Sequence, residues 1–451
     1  MTATAKRITI DTPVTYRDEL PDAVDVVIIG GGVIGTFTAL YLARTGKSVL
    51  LCEKGRIAGE QSSRNWGWIR QLGRDEAELP IMTHALSLWQ EVDADLKGAC
   101  GIVQSGTNYL ATSEAVQTAN EDWCKIATAQ GLKPKFLSRR DVASMFSDAS
   151  DSRWVGSVQM PTDARGEPWV AVPAVARLAS AKGALIRENC AVRGLERTAG
   201  KLSGVITEDG PIRCEQVILA GGAWSSTLCR NEGISLPQLS VRATVAATIP
   251  MAKFFNSAAA DEQLALRRRA DGGYSLAITD KHGFYIGPDA FRHFGIYLPQ
   301  LRESWKDSDF HPAAPTGFPD AWRAQRRWTA DQSTPFERTR VLEPAPDQKY
   351  LKRMRKRFAE RFPKVGEPTL AHTWAGMIDA MPDVVPVVDR APMLDGLIIA
   401  TGMCGHGFGI GPGFARIIAR MATGETPEHD LTRFRFSRFT DGSKLKLGPA
   451  L

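Results

Sequence analysis

Gly30, Gly32 and Gly35 stand in the spacing G-x-G-x-x-G directly after an apolar run at residues 24–29, and Glu53 closes the next apolar run at 48–52. These residue types in this order suit the diphosphate and ribose of a dinucleotide. Gly30 permits a tight turn, Gly32 lets the backbone approach a pyrophosphate, and Gly35 lets the following helix lie close to its strand. The amides of Val33 and Ile34 open that helix, where its dipole favours phosphate. A carboxylate at Glu53 accepts hydrogen bonds from a ribose 2′-hydroxyl and repels a 2′-phosphate. Two later segments repeat the pattern of a buried strand running into glycine: 216–222, ending in Gly221 and Gly222, and 397–402. The run 405–413, with Gly405, Gly407 and Gly409, precedes a helix expected from Phe414 to Met421 and makes a second cradle of backbone amides.

Other chemistries are argued against. The histidines fall at 84, 282, 293, 311, 372, 406 and 429 without H-x-H or H-E-x-x-H spacing, so no metal site is expected. No G-x-S-x-G nucleophile turn occurs. A net charge of +6 is small against 56 basic and 50 acidic residues and gives no reason to expect nucleic acid as a partner. The densest basic stretch, 349–361, has Leu351, Met354, Phe358 and Phe362 at helical spacing and reads as an amphipathic helix with one solvated face. Seven cysteines without a C-x-x-C pair or a preceding secretory signal fit reduced thiols in a cytoplasmic enzyme. No apolar run reaches the ~18 residues of a membrane span, so stable membrane insertion is not expected.

These elements predict an α/β chain: a Rossmann-like dinucleotide domain with an interleaved α+β substrate domain on an antiparallel-rich sheet. At 451 residues the chain suits two domains. The strand signals place the first in three stretches, 1–88, 150–235 and 370–451, and the second in two, 89–149 and 236–369.

The continuation of the glycine fingerprint, EKGRIAGEQSSR at 53–64, resembles the D-amino acid oxidase-like superfamily of FAD flavoproteins, which includes glycine and sarcosine oxidases. Bacterial L-amino acid deaminases and soluble L-amino acid oxidases are more similar still. VRGLERTAGKLSGVITEDG (192–210), QVILAGGAWSS (216–226), ADGGY (270–274), STPFERTR (333–340) and WAGMIDAMPDVVPVV (374–388) extend the likeness from about residue 24 to 440. The resemblance implies non-covalent FAD. It implies that Gly30, Gly32, Val33, Ile34 and Gly35 hold the pyrophosphate and Glu53 and Lys54 the adenosine ribose. Ser62 and Ser63 would reach phosphate or flavin, Val192 the adenine, and Gly221, Gly222 and Trp224 the adenosine side. Gly405, Gly407 and Phe408 would lie under the isoalloxazine.

The same resemblance implies an amino acid substrate whose carboxylate is taken by the fork of an arginine. The deaminases carry that arginine three residues before an AD-G turn, which is Arg267 here, with Arg269 on the same strand face as a competitor. Where they carry a glutamine this chain has Trp68, and where they carry Gly-Trp-Gly-Met it has Gly405-His406-Gly407-Phe408. An aromatic wall of Trp68 and Phe408 then favours apolar or aromatic side chains, with His406 in the pocket and Trp374 near the flavin. The implied reaction is oxidative deamination of an L-amino acid to a 2-oxo acid, ammonia and hydrogen peroxide. The flavin N5 takes the hydride, molecular oxygen is the acceptor, and no side-chain base is assigned. A D-amino acid or secondary-amine oxidase or dehydrogenase on the same fold, a quinone acceptor, a non-catalytic dinucleotide-binding protein and a homodimer all stay open at this stage.

Overall fold

The computed structural model describes residues 7–147, 149–150 and 153–449. The apolar runs Val26–Ile29 and Val49–Glu53 form adjacent parallel strands joined by the helix Val33–Arg44. They lie at the heart of a six-stranded sheet in the order 387–390, 397–401, 216–219, 26–29, 49–53, 185–188, parallel except for the first pair. Both faces of this sheet are covered, which explains why its strands are apolar throughout. Val26 and Ile28 pack with the helices Val33–Arg44, Glu78–Asp95, Pro168–Ala181 and Gly407–Ala422. Val27, Leu50 and Val217 face the other way, onto a three-stranded antiparallel meander of Val192–Thr198, Lys201–Thr207 and Gly210–Arg213.

A ten-stranded, mostly antiparallel sheet makes the second body. The helix Gln348–Arg361 lies on it, with Leu351, Met354 and Phe358, and Phe362 just beyond, buried against Leu266, Tyr274 and Leu276. The apolar face of the basic helix is therefore an internal packing face; most of its Lys and Arg side chains lie outside, while Arg361 is buried in an ion pair with Asp261.

Two strands lie elsewhere than their position along the chain suggests. Gly156–Met160 and Leu370–Ala380 fall in stretches assigned from sequence to the dinucleotide domain, yet both belong to the large sheet. Gly156–Met160 pairs with Thr107–Ala111 and Lys135–Ser138. Leu370–Ala380 runs antiparallel to Leu239–Thr248 along its length. Both are short-period strands whose partners lie far away in sequence, and alternation alone does not name a partner. The long pairing of Leu370–Ala380 has a consequence for the site, because it brings Met377 and Asp379 up to the glycine run at 402–407. No helix among the described residues is long and apolar enough to cross a membrane.

Candidate functional site

One cavity of about 270 Å³ borders both glycine cradles. Two of the glycines make the first cradle by necessity. Gly30 has φ +112°, and a Cβ there would stand 2.4 Å from the Ala220 carbonyl oxygen. A Cβ on Gly35 would stand 1.9 Å from the Gly30 oxygen. The helix that follows has Gly32 as its N-cap, with no side chain to cap it, and helix Gly407–Ala422 has His406 as N-cap with no side-chain cap bond. Two helix N-termini thus present first-turn amides and the positive ends of their dipoles to the same cavity, which fits a cofactor that carries phosphates and polar ring oxygens.

Gly30, Gly32, Val33, Ile34, Glu53, Lys54 and Ser62 line the cavity. Val192, Gly221, Gly222 and Trp224 line it too, as do Gly405, His406, Gly407, Phe408 and Trp68. Gly35 and Ser63 sit behind the lining: Gly35 packs on Gly30, and the Ser63 hydroxyl donates to the Glu60 carbonyl at 3.4 Å. Glu53 accepts from the amides of Gly31 and Gly55, each at 2.7 Å. Burial pushes its carboxyl up to about 7, against the opposing pull of Lys54 and those amides. Lys54 binds Glu60 at 2.6 Å and stacks over the Trp224 ring at 4.4 Å.

Three sequence-predicted substrate candidates, Arg267, Arg269 and Trp374, lie outside the cavity lining. Arg267 is 1% exposed, and its guanidinium is held by Glu167 through two bonds of 3.0 and 2.9 Å and by the Trp66 carbonyl at 2.5 Å. A buried guanidinium needs a carboxylate, and Glu167, at the N-cap of helix Pro168–Ala181, supplies it. Arg269 is likewise committed to Asp271 and the Tyr274 carbonyl. Although Arg267 bonds the lining residue Trp66, neither arginine is among the residues that line the cavity. Trp374 is buried behind it, its indole donating to the Arg64 carbonyl at 2.9 Å.

The cavity has other cations, which sequence reading passed over. Arg70 and Arg74 line it, and so do Trp66 and Asp379. Arg74 is 4% exposed, and its Nη1 has no hydrogen-bond partner among the described residues. The same is true of both oxygens of Glu78 and both ring nitrogens of His406. His406 Nδ1 lies 3.8 Å from Glu78 Oε2. Burial, with Arg74 and Arg70 nearby, drives the His406 imidazole down to about 4, so it is neutral at pH 7. Burial pushes the Glu78 carboxyl up, but His406, Arg74 and Arg70 outweigh it and hold the group below its usual range. Unpartnered buried polar atoms of this kind cost free energy until a ligand or water satisfies them. The signal for Arg70 and Arg74 was present as two cations four residues apart, directly after the Ser62 and Trp68 positions.

The Trp66 and Trp68 rings meet edge to face at 5.6 Å and, with Phe408, give part of the lining an aromatic character. Cys404 also borders the cavity, but burial and the nearby Asp379 hold its thiol well above the usual range.

A family model described as DAO, FAD dependent oxidoreductase, matches residues 25–421. The chain belongs to this family. Its cofactor is FAD. The family fold is matched closely by L-amino acid deaminase from Proteus myxofaciens in complex with anthranilate. That structure shares 26% identity with this chain, with a TM-score of 0.90, over 95% of this chain and 96% of the deaminase. Sarcosine oxidase subunit beta of Rhizobium meliloti (strain 1021) is 26% identical over 430 residues, covering 93% of this chain and 89% of the subunit. Human mitochondrial sarcosine dehydrogenase is 26% identical over 225 residues, and the match spans 24% of that protein. The chain therefore aligns with about a quarter of the length of the sarcosine dehydrogenases it matches.

Proposed function

We propose that this flavoprotein oxidises L-amino acids with apolar or aromatic side chains to 2-oxo acids and ammonia, with oxygen as acceptor and hydrogen peroxide as product. The observation that carries this reading is the juxtaposition, on one cavity, of the buried Arg74 and half-buried Arg70 guanidiniums, a neutral imidazole and an aromatic wall. Bound FAD supplies the two-electron acceptor. The side chains supply position and charge. Arg70 and Arg74 receive the substrate carboxylate, and Arg74 Nη1 gains the acceptor it otherwise lacks. The same two cations disfavour a second positive charge, so they favour the amine in its neutral, oxidisable form. His406, itself uncharged, accepts a hydrogen bond from that amine. Trp66, Trp68 and Phe408 take the substrate side chain and exclude water.

The ADP half of the cofactor falls to Gly30, Gly32, Val33, Ile34, Ser62 and Glu53, with Lys54, Trp224, Val192, Gly221 and Gly222 around the adenosine. Gly405, Gly407 and Phe408 would face the flavin, held non-covalently; burial and the nearby Asp379 raise the Cys404 thiol well above its usual range, which makes it a poor nucleophile toward the flavin.

A pH effect follows from Glu53. Burial raises its carboxyl to about 7 in the folded chain, and a ribose hydroxyl donates a stronger hydrogen bond to the ionised form, so binding favours loss of that proton. FAD affinity is expected to be full above pH 7 and to fall as pH drops below about 7, by up to about tenfold per unit. Flavin fluorescence titrations across about pH 6 to 8 check this. Glu53→Gln should bind more weakly and with no such slope, whereas a flat wild-type curve would remove Glu53 from the ribose.

The similarity to sarcosine oxidase subunit beta favours a second reading, a secondary amine as substrate. Peroxidase-coupled assays with L-phenylalanine, D-phenylalanine and sarcosine separate the two. Peroxide with L-phenylalanine alone supports the proposal. Turnover of sarcosine or the D-enantiomer in its place overturns it, and reduction of an artificial acceptor without peroxide overturns the choice of oxygen.

A further inference from the structure

Outside the cavity, helix Glu78–Asp95 carries His84 toward the segment that follows helix Gly407–Ala422, where Glu428 and His429 stand. His84 Nδ1 lies 3.3 Å from His429 Nε2 and 3.5 Å from Glu428 Oε2. All three ligand atoms lie within 4.8 Å of one another. In a tetrahedral site with bonds of about 2.0–2.1 Å, neighbouring ligand atoms stand about 3.4 Å apart. Two edges of the triangle already have that length.

The surroundings suit a bound cation. Glu428 divides its oxygens: Oε1 is taken by Arg416 at 3.3 Å and by Arg420, which leaves Oε2 toward the imidazoles. Such outer contacts orient a ligating carboxylate. His84 and His429 are half-buried and Glu428 is exposed, so ions and a water molecule can reach the centre.

We propose that His84, Glu428 and His429 form a binding site for a borderline divalent transition-metal ion of the zinc class, with its fourth position open to water. Two imidazole nitrogens and one carboxylate select such an ion over magnesium or calcium, which prefer oxygen sets. The ion ties helix Glu78–Asp95, whose first turn holds Glu78, to the segment after the helix capped by His406. Two of the three ligands, Glu428 and His429, lie beyond the match to the family model, which ends at residue 421.

Calorimetric titration of chelator-treated, FAD-loaded protein with zinc chloride tests this. One saturable equivalent of zinc is expected, and His84→Ala and His429→Ala should each weaken it by at least about tenfold. All seven cysteines are buried and should not compete. Thermal melts without metal check that both variants fold. Absence of saturable binding, equal binding by both folded variants, or magnesium binding as tightly as zinc would each overturn the proposal.

Discussion

Arg74→Leu is expected to lower kcat/KM for L-phenylalanine by about 100- to 1000-fold while FAD loading stays intact. Truncating one partner of a buried charge pair typically costs about 2–5 kcal/mol, and each 1.4 kcal/mol is about tenfold. Arg74 meets the conditions for the upper part of that range. It is 4% exposed, its Nη1 has no partner among the described residues, and its Nε is already spent on the Arg70 carbonyl at 3.1 Å. Burial and the neighbouring Arg70 lower its guanidinium to about 9, which still leaves it charged at pH 7. An incoming carboxylate relieves that cost, and leucine removes the relief. Arg267→Leu should behave differently. It leaves the buried Glu167 carboxylate with only Arg165 at 3.5 Å and the Ala270 amide, and should destabilise the fold by up to about 3 kcal/mol with little change in KM for the folded fraction. Thermal melts, flavin absorbance and steady-state kinetics on the two variants divide the roles. A KM effect confined to Arg267→Leu would return the carboxylate site to the position that the AD-G turn suggests.

That contrast locates where sequence reasoning ends. The dinucleotide unit was legible because all its parts are local: strand, glycine turn, helix and second strand lie within thirty or so residues and each has its own pattern. The glycine run at 405–413 was legible as a helix start, but the helix begins at Gly407 within the run rather than at Phe414, because glycine content alone does not show which residues are helical. The commitment of Arg267 was not, because its partner Glu167 is 100 positions away in sequence and nothing local marks the pair. Gly156–Met160 and Leu370–Ala380 were misplaced for a related cause, since which sheet a strand joins depends on distant pairing. Arg70 and Arg74 were legible in principle. They were passed over because the segment that holds them reads first as hydroxyls and aromatics, and burial turns an apparently solvated cation into a binding group.

The second large effect is expected at Gly35. Gly35→Ala should leave the purified protein nearly colourless, with FAD affinity lowered by at least about 100-fold, equivalent to about 2.7 kcal/mol. Backbone strain plays no part, because Gly35 lies inside helix Val33–Arg44 and is not among the residues with positive φ. Helix propensity alone would favour alanine by about 1 kcal/mol. The obstacle is contact: the new Cβ falls 1.9 Å from the Gly30 oxygen and 3.3 Å from Ile28 Cγ2, and neither strand nor turn can retreat from the sheet's centre. The helix must lift instead, against its packing on helices Pro168–Ala181 and Gly407–Ala422. Its first-turn amides move with it, and the phosphate cradle opens. Gly46→Ala is the matched control. It has φ +81° and nothing within 4 Å of a new Cβ, so it strains the backbone at the far end of the same helix and leaves the cradle alone. It should lose some stability and keep its flavin. If Gly35→Ala instead retained a full complement of FAD, close approach of this helix to its strand would not be what holds the diphosphate.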